Sequence, residues 1–216
     1  LNFKQRQNLI LCDIGNTNAS FFDGRRVWNL TIDEFMAYEP TEKIYYINVN
    51  DKAEQKLLNH LFIDISSYIK LNSTYIGLGI DRAAACYAIN NGLIVDAGSA
   101  ITLDLMANSC HIGGFIIPGI STTLKSLQNI SPRLNLPLNT NIDLDCLPQR
   151  TQDAISYGII KPIVSLISDF SSQKTIYFTG GDGEFLSRFF NQSLYDKMLI
   201  FRGMQRAINE NKEILC

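Results

Sequence analysis

The same short pattern, an apolar strand that ends in Asp-x-Gly, occurs twice in this sequence. Residues 9–17 read LILCDIGNT and residues 92–100 read GLIVDAGSA, so that Asp96 follows Asp13 by the same number of residues as Gly98 follows Gly15. Two buried strands with such a turn are also common in unrelated α/β proteins. The constant spacing, and the strand-like segments 19–22 and 101–105 that follow the two copies, favour an internal duplication.

The rest of the chain alternates predicted strands with predicted helices. Apolar runs predict further strands at 44–49, 112–117, 174–179 and 198–201. Apolar periodicity predicts helices over 51–61, 82–90, 120–128, 151–168, 184–190 and 204–215. The helix over 151–168 is the most clearly amphipathic and contains Pro162, which should kink it. We predict a loop over 131–149, which contains three prolines.

Charge and composition exclude several classes of protein. A net charge of -2 leaves no basic stripe for a nucleic-acid backbone, so no nucleic-acid partner is expected. Hydrophobic residues make up 46% of the chain, which is typical of a folded protein. The apolar runs are far shorter than the roughly 20 residues that cross a bilayer. The run after Lys4 and Arg6 is too short for a signal peptide, so we expect a cytoplasmic protein with no membrane partner.

Cysteine and histidine residues do not form a recognisable metal motif in the sequence. The five cysteines are scattered without a CxxC pair, which is typical of reduced thiols in a core and not of a disulfide framework or a zinc site. His60 and His111 have no Cys or Asp at ligand spacing. We predict no role for either histidine.

The two Asp-x-Gly turns have the residue types that hold a nucleotide. A carboxylate at a strand end, followed by glycine and small polar side chains, places a metal ligand beside backbone N–H groups. In the first copy Asp13 would hold Mg²⁺, Gly15 would let the backbone approach, and Asn16 and Thr17 would donate to phosphate oxygens. The corresponding donors in the second copy are Gly98, Ser99 and Thr102.

Two common nucleotide-binding motifs are missing from the sequence. It contains no GxxxxGK[ST], which excludes a P-loop kinase. Gly77 and Gly79 lack the third glycine of a dinucleotide fingerprint, which excludes a Rossmann site. Two turns that face each other across a cleft would instead cradle the phosphates.

Four motifs in this order resemble the signature of the type III pantothenate kinases. They are DIGNT at 13–17, GIDR at 79–82, DAGSAITLD at 96–104 and GGFIIPG at 113–119. Thr151 ahead of Ala154-x-x-x-Gly158, and the turn Thr179-Gly180-Gly181, extend the resemblance over nearly the whole chain. The chain is most similar to the compact members from epsilonproteobacteria. Ser99 stands where the family usually has Thr, which keeps the hydroxyl and loses a methyl group.

The resemblance implies both a fold and an activity. The fold is α/β, with two ribonuclease-H-like domains of the actin-like ATPase type at residues 1–90 and 91–216, the last helix being a candidate to return to the first domain. The nucleotide would lie in the cleft between these domains. The activity is ATP-dependent phosphorylation of pantothenate to 4'-phosphopantothenate, the first step of coenzyme A biosynthesis. The resemblance also implies a homodimer with its substrate site at the subunit interface.

The acceptor residues follow from the resemblance. Asp81 would accept the proton of the pantothenate hydroxyl, although an Asp at a helix start is equally typical of a cap. Arg82, otherwise a surface cation, would bind the pantothenate carboxylate through its planar guanidinium group. Gly79 would give close backbone access. Ile80, Tyr75 and Thr151 would be further pantothenate contacts, and a packed aromatic is an equal interpretation of Tyr75.

Other residues receive nucleotide and cation roles from the same resemblance. Asp96 would bind a monovalent cation, K⁺ or NH₄⁺, with Asp104 in support. Gly180 and Gly181 would lie against adenosine. The glycines at 113, 114 and 119 would shape the cleft through their backbone freedom.

Two other functions remain open at this point. The first is another small-molecule kinase of the same superfamily, such as an acetate or sugar kinase, because the phosphate turns do not identify the acceptor. The segment 79–82 argues against it. The second is a non-catalytic, nucleotide-binding accessory protein of transcription. Such a regulator needs no acceptor base, so Asp81 argues against it as well.

Overall fold

A computed structural model describes residues 9–171 and 173–212. The strands are β1 (Ile10–Ile14), β2 (Asn18–Phe22), β3 (Val27–Thr31), β4 (Ile44–Asn48), β5 (Phe62–Asp64), β6 (Asn72–Ser73), β7 (Gly92–Ala97), β8 (Ala100–Ala107), β9 (Cys110–Pro118), β10 (Ile176–Thr179) and β11 (Ser193–Tyr195). The α-helices are α1 (Ile32–Ala37), α2 (Ile80–Tyr87), α3 (Ile120–Ile130), α4 (Thr151–Ser171), α5 (Gly183–Ser187) and α6 (Leu199–Glu210).

The described residues fall into two compact units. The first unit contains residues 9–90, 109–111 and 198–212, and the second contains 91–108 and 112–197 without residue 172. The helix α6 thus belongs to the first unit. The division into folding domains at 1–90 and 91–216 stays a prediction.

The first unit is built on a five-stranded sheet with the order β3-β2-β1-β4-β5. The central strand β1 pairs antiparallel with β2 and parallel with β4. Leu11, Cys12 and Ile14 on β1 are fully buried, which explains why apolar residues flank Asp13 in this strand. Because β1 lies in the middle of the sheet, the turn that follows it has a rigid support.

Helices α2 and α6 pack closely in the first unit. A Cβ atom on Gly203 of α6 would lie 1.9 Å from the backbone oxygen of Ala84 on α2, a distance that no side chain permits. Ala84 is fully buried, and Phe201 and Met204 join it in a core with Leu11 of β1. The small residues of α2 therefore let α6 approach, and together the two helices cover one part of the sheet.

The second unit repeats the arrangement of the first around its own Asp-x-Gly turn. Strand β7 pairs antiparallel with β8 and parallel with β10, and β10 pairs parallel with β11. The long helix α4 buries Ile155, Ile159 and Ile163 against a core that includes Leu93 and Val95 of β7. Pro162 lies inside this helix, as predicted. Strand β9 begins in the first unit, where it pairs with β6, and continues into the second.

Two predicted elements are wrong. The predicted helix over 51–61 is a pair of short 3-10 turns, Asp51–Ala53 and Lys56–Leu58, and Leu58 is 84% exposed instead of facing a core. The predicted strand over 198–201 is the beginning of α6, because a short apolar run suits a strand and a buried helix equally well. The end of the predicted helix over 204–215 lies outside the described residues.

Other predicted elements differ only at their bounds. The strand predicted over 112–117 is the longer β9, which continues through Gly113 and Gly114. Within the described part of the chain, no helix has the length and apolar character needed to cross a membrane.

Candidate active site

The first Asp-x-Gly turn lies at the end of the central strand of the first unit. Asp13, half-buried, is the register partner of Ser20 on β2 and of Ile47 on β4. The turn closes through a hydrogen bond from the Gly15 N–H to the Asn18 carbonyl, 2.9 Å long. Asn16 and Thr17 are exposed at its tip.

The Asn50 side chain supports this turn, a role that the sequence motifs did not indicate. Its side-chain amide is buried and donates to the carbonyls of Gly15, at 3.1 Å, and Asn16, at 3.5 Å. Its side-chain oxygen accepts from the Lys52 N–H at 3.0 Å, which caps the following 3-10 turn. An Asn directly after a strand and before an Asp is a turn signal that sequence reading can use. The carbonyl groups that it contacts are 34 and 35 residues away in the chain, so the local sequence did not predict them.

The second Asp-x-Gly turn has the same form in the second unit and is one residue shorter. In the first turn Ile14 pairs with Ala19, whereas in the second Ala97 pairs with Ile101. The Gly98 N–H donates to the Ala100 carbonyl at 2.9 Å. The structure therefore gives both copies of the repeat a strand-turn-strand form.

Residues at the N-terminus of α3 hold the second turn. The Ser99 carbonyl accepts hydrogen bonds from the Gly119 N–H, at 3.0 Å, and from the Thr122 hydroxyl, at 2.6 Å. A Cβ on Gly119 would lie 2.0 Å from the Gly98 oxygen. Only glycine fits this approach, which gives Gly119 a definite structural role. Ser99 itself is exposed, and Thr102 is the register partner of Asp96.

The predicted cation ligand and the predicted adenosine turn lie together in the second unit. A Cβ on Gly180 would lie 2.5 Å from a carboxylate oxygen of Asp96 and 2.4 Å from the Ala97 oxygen. Gly180 has a φ of +80°, which also favours glycine. The Ala97 oxygen accepts from the Asp182 N–H at 2.9 Å, and burial raises the pKa of the Asp182 carboxyl. Gly181 is exposed beside this turn.

The predicted acceptor segment forms the start of α2 in the first unit. Gly79 is the N-cap residue, so Asp81 is not the cap that its sequence context allowed. The half-buried Asp81 carboxylate accepts a hydrogen bond from the Arg82 N–H at 2.7 Å. A Cβ on Gly79 would lie 2.6 Å from the same carboxylate oxygen. Gly79 thus leaves the space that this carboxylate occupies.

Arg82 and Tyr75 are in contact next to this segment. The guanidinium carbon lies 5.1 Å from the centre of the Tyr75 ring, within the range of a cation–π interaction. Arg82 is only 6% exposed, which excludes the alternative of a simple surface cation. Tyr75 is 38% exposed, so it is neither a fully packed aromatic nor a free one.

The remaining predicted residues occupy separate places. Thr151 is the first residue of α4 in the second unit and is exposed. Ile80, half-buried, is the first residue of α2. Asp104 lies on β8 and is 1% exposed, which suits a supporting residue better than a ligand-binding one.

Comparison with known proteins identifies relatives along nearly the whole chain. A family profile described as type III pantothenate kinase matches residues 59–173. A type III pantothenate kinase from Campylobacter jejuni strain RM1221 is 50% identical over 96% of this chain and 100% of its own length. One from Helicobacter pylori strain HPAG1 is 37% identical over 100% of this chain and 97% of its own.

Solved structures support the same relation and the fold. A crystal structure from Campylobacter jejuni, described as a Baf family transcriptional activator, is 50% identical with a TM-score of 0.88, covering 95% of this chain and 100% of that one. A structure from Sinorhizobium meliloti described as a 2-dehydro-3-deoxygalactonokinase, 7% identical, has a TM-score of 0.59 over 94% of this chain and 96% of its own.

The activator of 2-hydroxyisocaproyl-CoA dehydratase from Clostridium difficile, 11% identical, has a TM-score of 0.53 over 96% of this chain and 98% of its own. At such low identity these last two structures show the fold alone, and they confirm the predicted actin-like α/β class. The family profile and the two kinases show more than the fold, since they match in sequence along most of the chain. The chain belongs to the type III pantothenate kinase family.

Proposed function

We propose that this chain transfers the γ-phosphoryl group of ATP to the primary hydroxyl of pantothenate, giving 4'-phosphopantothenate in the first step of coenzyme A biosynthesis. The observation that carries this proposal is the start of α2, where the Asp81 carboxylate and the buried Arg82 lie side by side in a member of this kinase family. A carboxylate can accept the proton of the attacking hydroxyl, and a guanidinium can bind the carboxylate of pantothenate through two hydrogen bonds.

Asp81 is the proposed base. As the pantothenate hydroxyl oxygen attacks the γ-phosphorus, its proton passes to a carboxylate oxygen of Asp81, and the bond to the β-phosphate oxygen breaks. Positioning is the main demand on such a base, since phosphoryl transfer needs little covalent assistance. The hydrogen bond from the Arg82 N–H and the space left by Gly79 support a fixed position for this carboxylate.

Arg82, Gly79, Ile80 and Tyr75 are the proposed pantothenate contacts in the first unit, and Thr151 is the proposed contact in the second. Asn16 and Thr17 of the first turn, and Gly98, Ser99 and Thr102 of the second, are the proposed phosphate ligands. The exposure of Asn16, Thr17 and Ser99 supports these roles. Gly180 and Gly181 are proposed to lie against adenosine.

Two carboxylates are proposed cation ligands, and each lies at the strand end of one Asp-x-Gly turn. Asp13 would hold Mg²⁺ and Asp96 would hold K⁺ or NH₄⁺, because oxygen donors suit hard cations. The missing side chain at Gly180 lets the backbone come close to the Asp96 carboxylate, because a Cβ there would lie 2.5 Å from one of its oxygens. When bound, the cations offset the negative charge of the triphosphate.

The assembly and cellular location belong to the same proposal. The protein is proposed to be a cytoplasmic homodimer. Light scattering in solution should then give a mass near twice the 24.3 kDa of one chain.

Replacement of the base tests the function. Asp81→Asn should lower kcat at least about a thousandfold, because the amide does not accept the hydroxyl proton, while ATP affinity stays within a few-fold. A coupled assay of ATP turnover with pantothenate, acetate and a sugar measures this. Asp33→Asn is the matched control, since Asp33 is the second residue of α1 as Asp81 is of α2.

Each alternative function has its own outcome in this assay. Turnover with acetate or the sugar, and none with pantothenate, would assign the protein to another kinase activity of the superfamily. Nucleotide binding without turnover of any acceptor would favour the non-catalytic regulator. Near-normal turnover by Asp81→Asn would remove Asp81 from its role.

A further inference from the structure

The Ser73 hydroxyl links the buried His111 to Tyr75, whose ring is partly exposed. Ser73 on β6 and His111 on β9 are register partners in the first unit. The Ser73 oxygen lies 2.8 Å from His111 Nδ1, at hydrogen-bond distance. The same oxygen accepts a hydrogen bond from the Tyr75 N–H at 3.0 Å. One hydroxyl therefore connects the imidazole to the Tyr75 backbone.

The Tyr75 ring contacts two buried side chains. Its centre lies 5.8 Å from the centre of the His111 ring, at an interplanar angle of 53°. The guanidinium carbon of Arg82 lies 5.1 Å from the same centre. His111 is 3% exposed and Arg82 is 6% exposed. Tyr75 thus joins the histidine to the proposed carboxylate-binding arginine.

The chain after Tyr75 offers this ring little other support. Ile76 is 95% exposed, and no atom beyond the two neighbouring residues lies within 4 Å of a Cβ built on Gly77. A loop with so few packing contacts does not by itself hold a side chain in one orientation. The contacts with Ser73 and His111 therefore help to hold Tyr75 in its position against Arg82.

We propose that His111 and Ser73 are positioning residues for the acceptor. They hold the Tyr75 ring against the Arg82 guanidinium, and the ring in turn fixes the plane of that group for the substrate carboxylate. A planar guanidinium binds a carboxylate through two parallel hydrogen bonds only when the two planes are aligned. The inference rests on the proposed function, because it assigns the cluster to recognition of the acceptor's carboxylate and not to phosphoryl transfer.

Three variants test the cluster by steady-state kinetics with pantothenate and with its alcohol analogue, in which a hydroxymethyl group replaces the carboxylate. Ser73→Ala and His111→Leu should raise KM for pantothenate about tenfold, while kcat and KM for ATP stay within about twofold. KM for the alcohol analogue should hardly change, since that compound has no carboxylate to align. His111→Asn keeps a polar group that can reach the Ser73 hydroxyl, and it should restore most of the affinity.

His60→Leu is the matched control, because His60 is exposed in the same unit and should leave all constants unchanged. An unchanged KM for pantothenate in Ser73→Ala, or an equal rise for the alcohol analogue, would overturn the inference. Should His111→Leu not fold, Ser73→Ala, at a half-buried position, decides the question by the same constants. A wild-type protein that does not turn over pantothenate would instead reject the proposed function and this inference together.

Discussion

Three glycines occupy positions where a single methyl group would meet a proposed functional atom or its backbone support. Gly79 lies against the Asp81 carboxylate, Gly119 against the second Asp-x-Gly turn and Gly180 against Asp96. These glycines belong to the sequence motifs, but the motifs did not indicate which atoms each glycine contacts. At this scale a motif glycine marks a close approach, and its neighbour can be identified only in three dimensions.

Gly79→Ala is a test at the scale of one atom. The new Cβ would lie 2.6 Å from the Asp81 carboxylate oxygen, so that carboxylate must move. We expect kcat to fall about tenfold or more, equivalent to about 1.4 kcal/mol in the barrier, with little change in ATP affinity.

The double variant Gly79→Ala with Asp81→Asn separates displacement of the base from other effects. Both changes act on the same carboxylate, so the double variant should be no slower than Asp81→Asn alone. An additive loss of activity would mean that Gly79 acts through some other group.

At the scale of elements, local sequence patterns predicted β1 and β7 with the turns that follow them. They did not predict the form of the segment 51–61 or the pairing of strands distant in sequence. Strands β1 and β7 were predictable because each apolar run ends in an Asp-x-Gly motif. The segment 51–61 was predicted as one helix, but it is broken into two turns, the first of which the Asn50 side chain caps. The pairing of Ser73 with His111, 38 residues later, depends on sheet register and was not readable locally.

The contact between α2 and α6 gives a stability test. Gly203→Ala would place a methyl group 1.9 Å from the Ala84 oxygen, and both atoms belong to helices that cannot yield easily. We expect it to lower the free energy of unfolding by about 3 kcal/mol, measured by urea denaturation.

Gly158→Ala is the matched control for this test. Gly158 lies within helix α4, and apart from its chain neighbours and the backbone of the same helix no atom lies within 4 Å of a Cβ built there. Alanine should therefore raise the free energy of unfolding by about 0.5–1 kcal/mol, because it favours the helix. A similar loss of stability in both variants would indicate that the effect is not specific to the α2–α6 contact.

At the scale of the whole molecule, charge is the main constraint on how ATP is held. The chain has a net charge of -2 and lacks the lysine of a P-loop, so we expect bound cations to balance much of the triphosphate charge. We expect activity to be low in Tris or Na⁺ buffer and to rise saturably with K⁺ or NH₄⁺. Asp96→Asn should need far more of either ion. Full activity in buffer stripped of both ions would contradict the role of Asp96.

The return of α6 to the first unit has a consequence for how a ribosome makes this protein. Helix α2, with Asp81 and Arg82 at its start, is made before the second unit, whereas the helix that packs on it is made after. We expect the β1 turn to form early in a nascent chain, whereas the face of α2 that α6 covers stays exposed until α6 has left the exit tunnel. The proposed phosphate-binding turn would therefore form before the proposed acceptor site is complete.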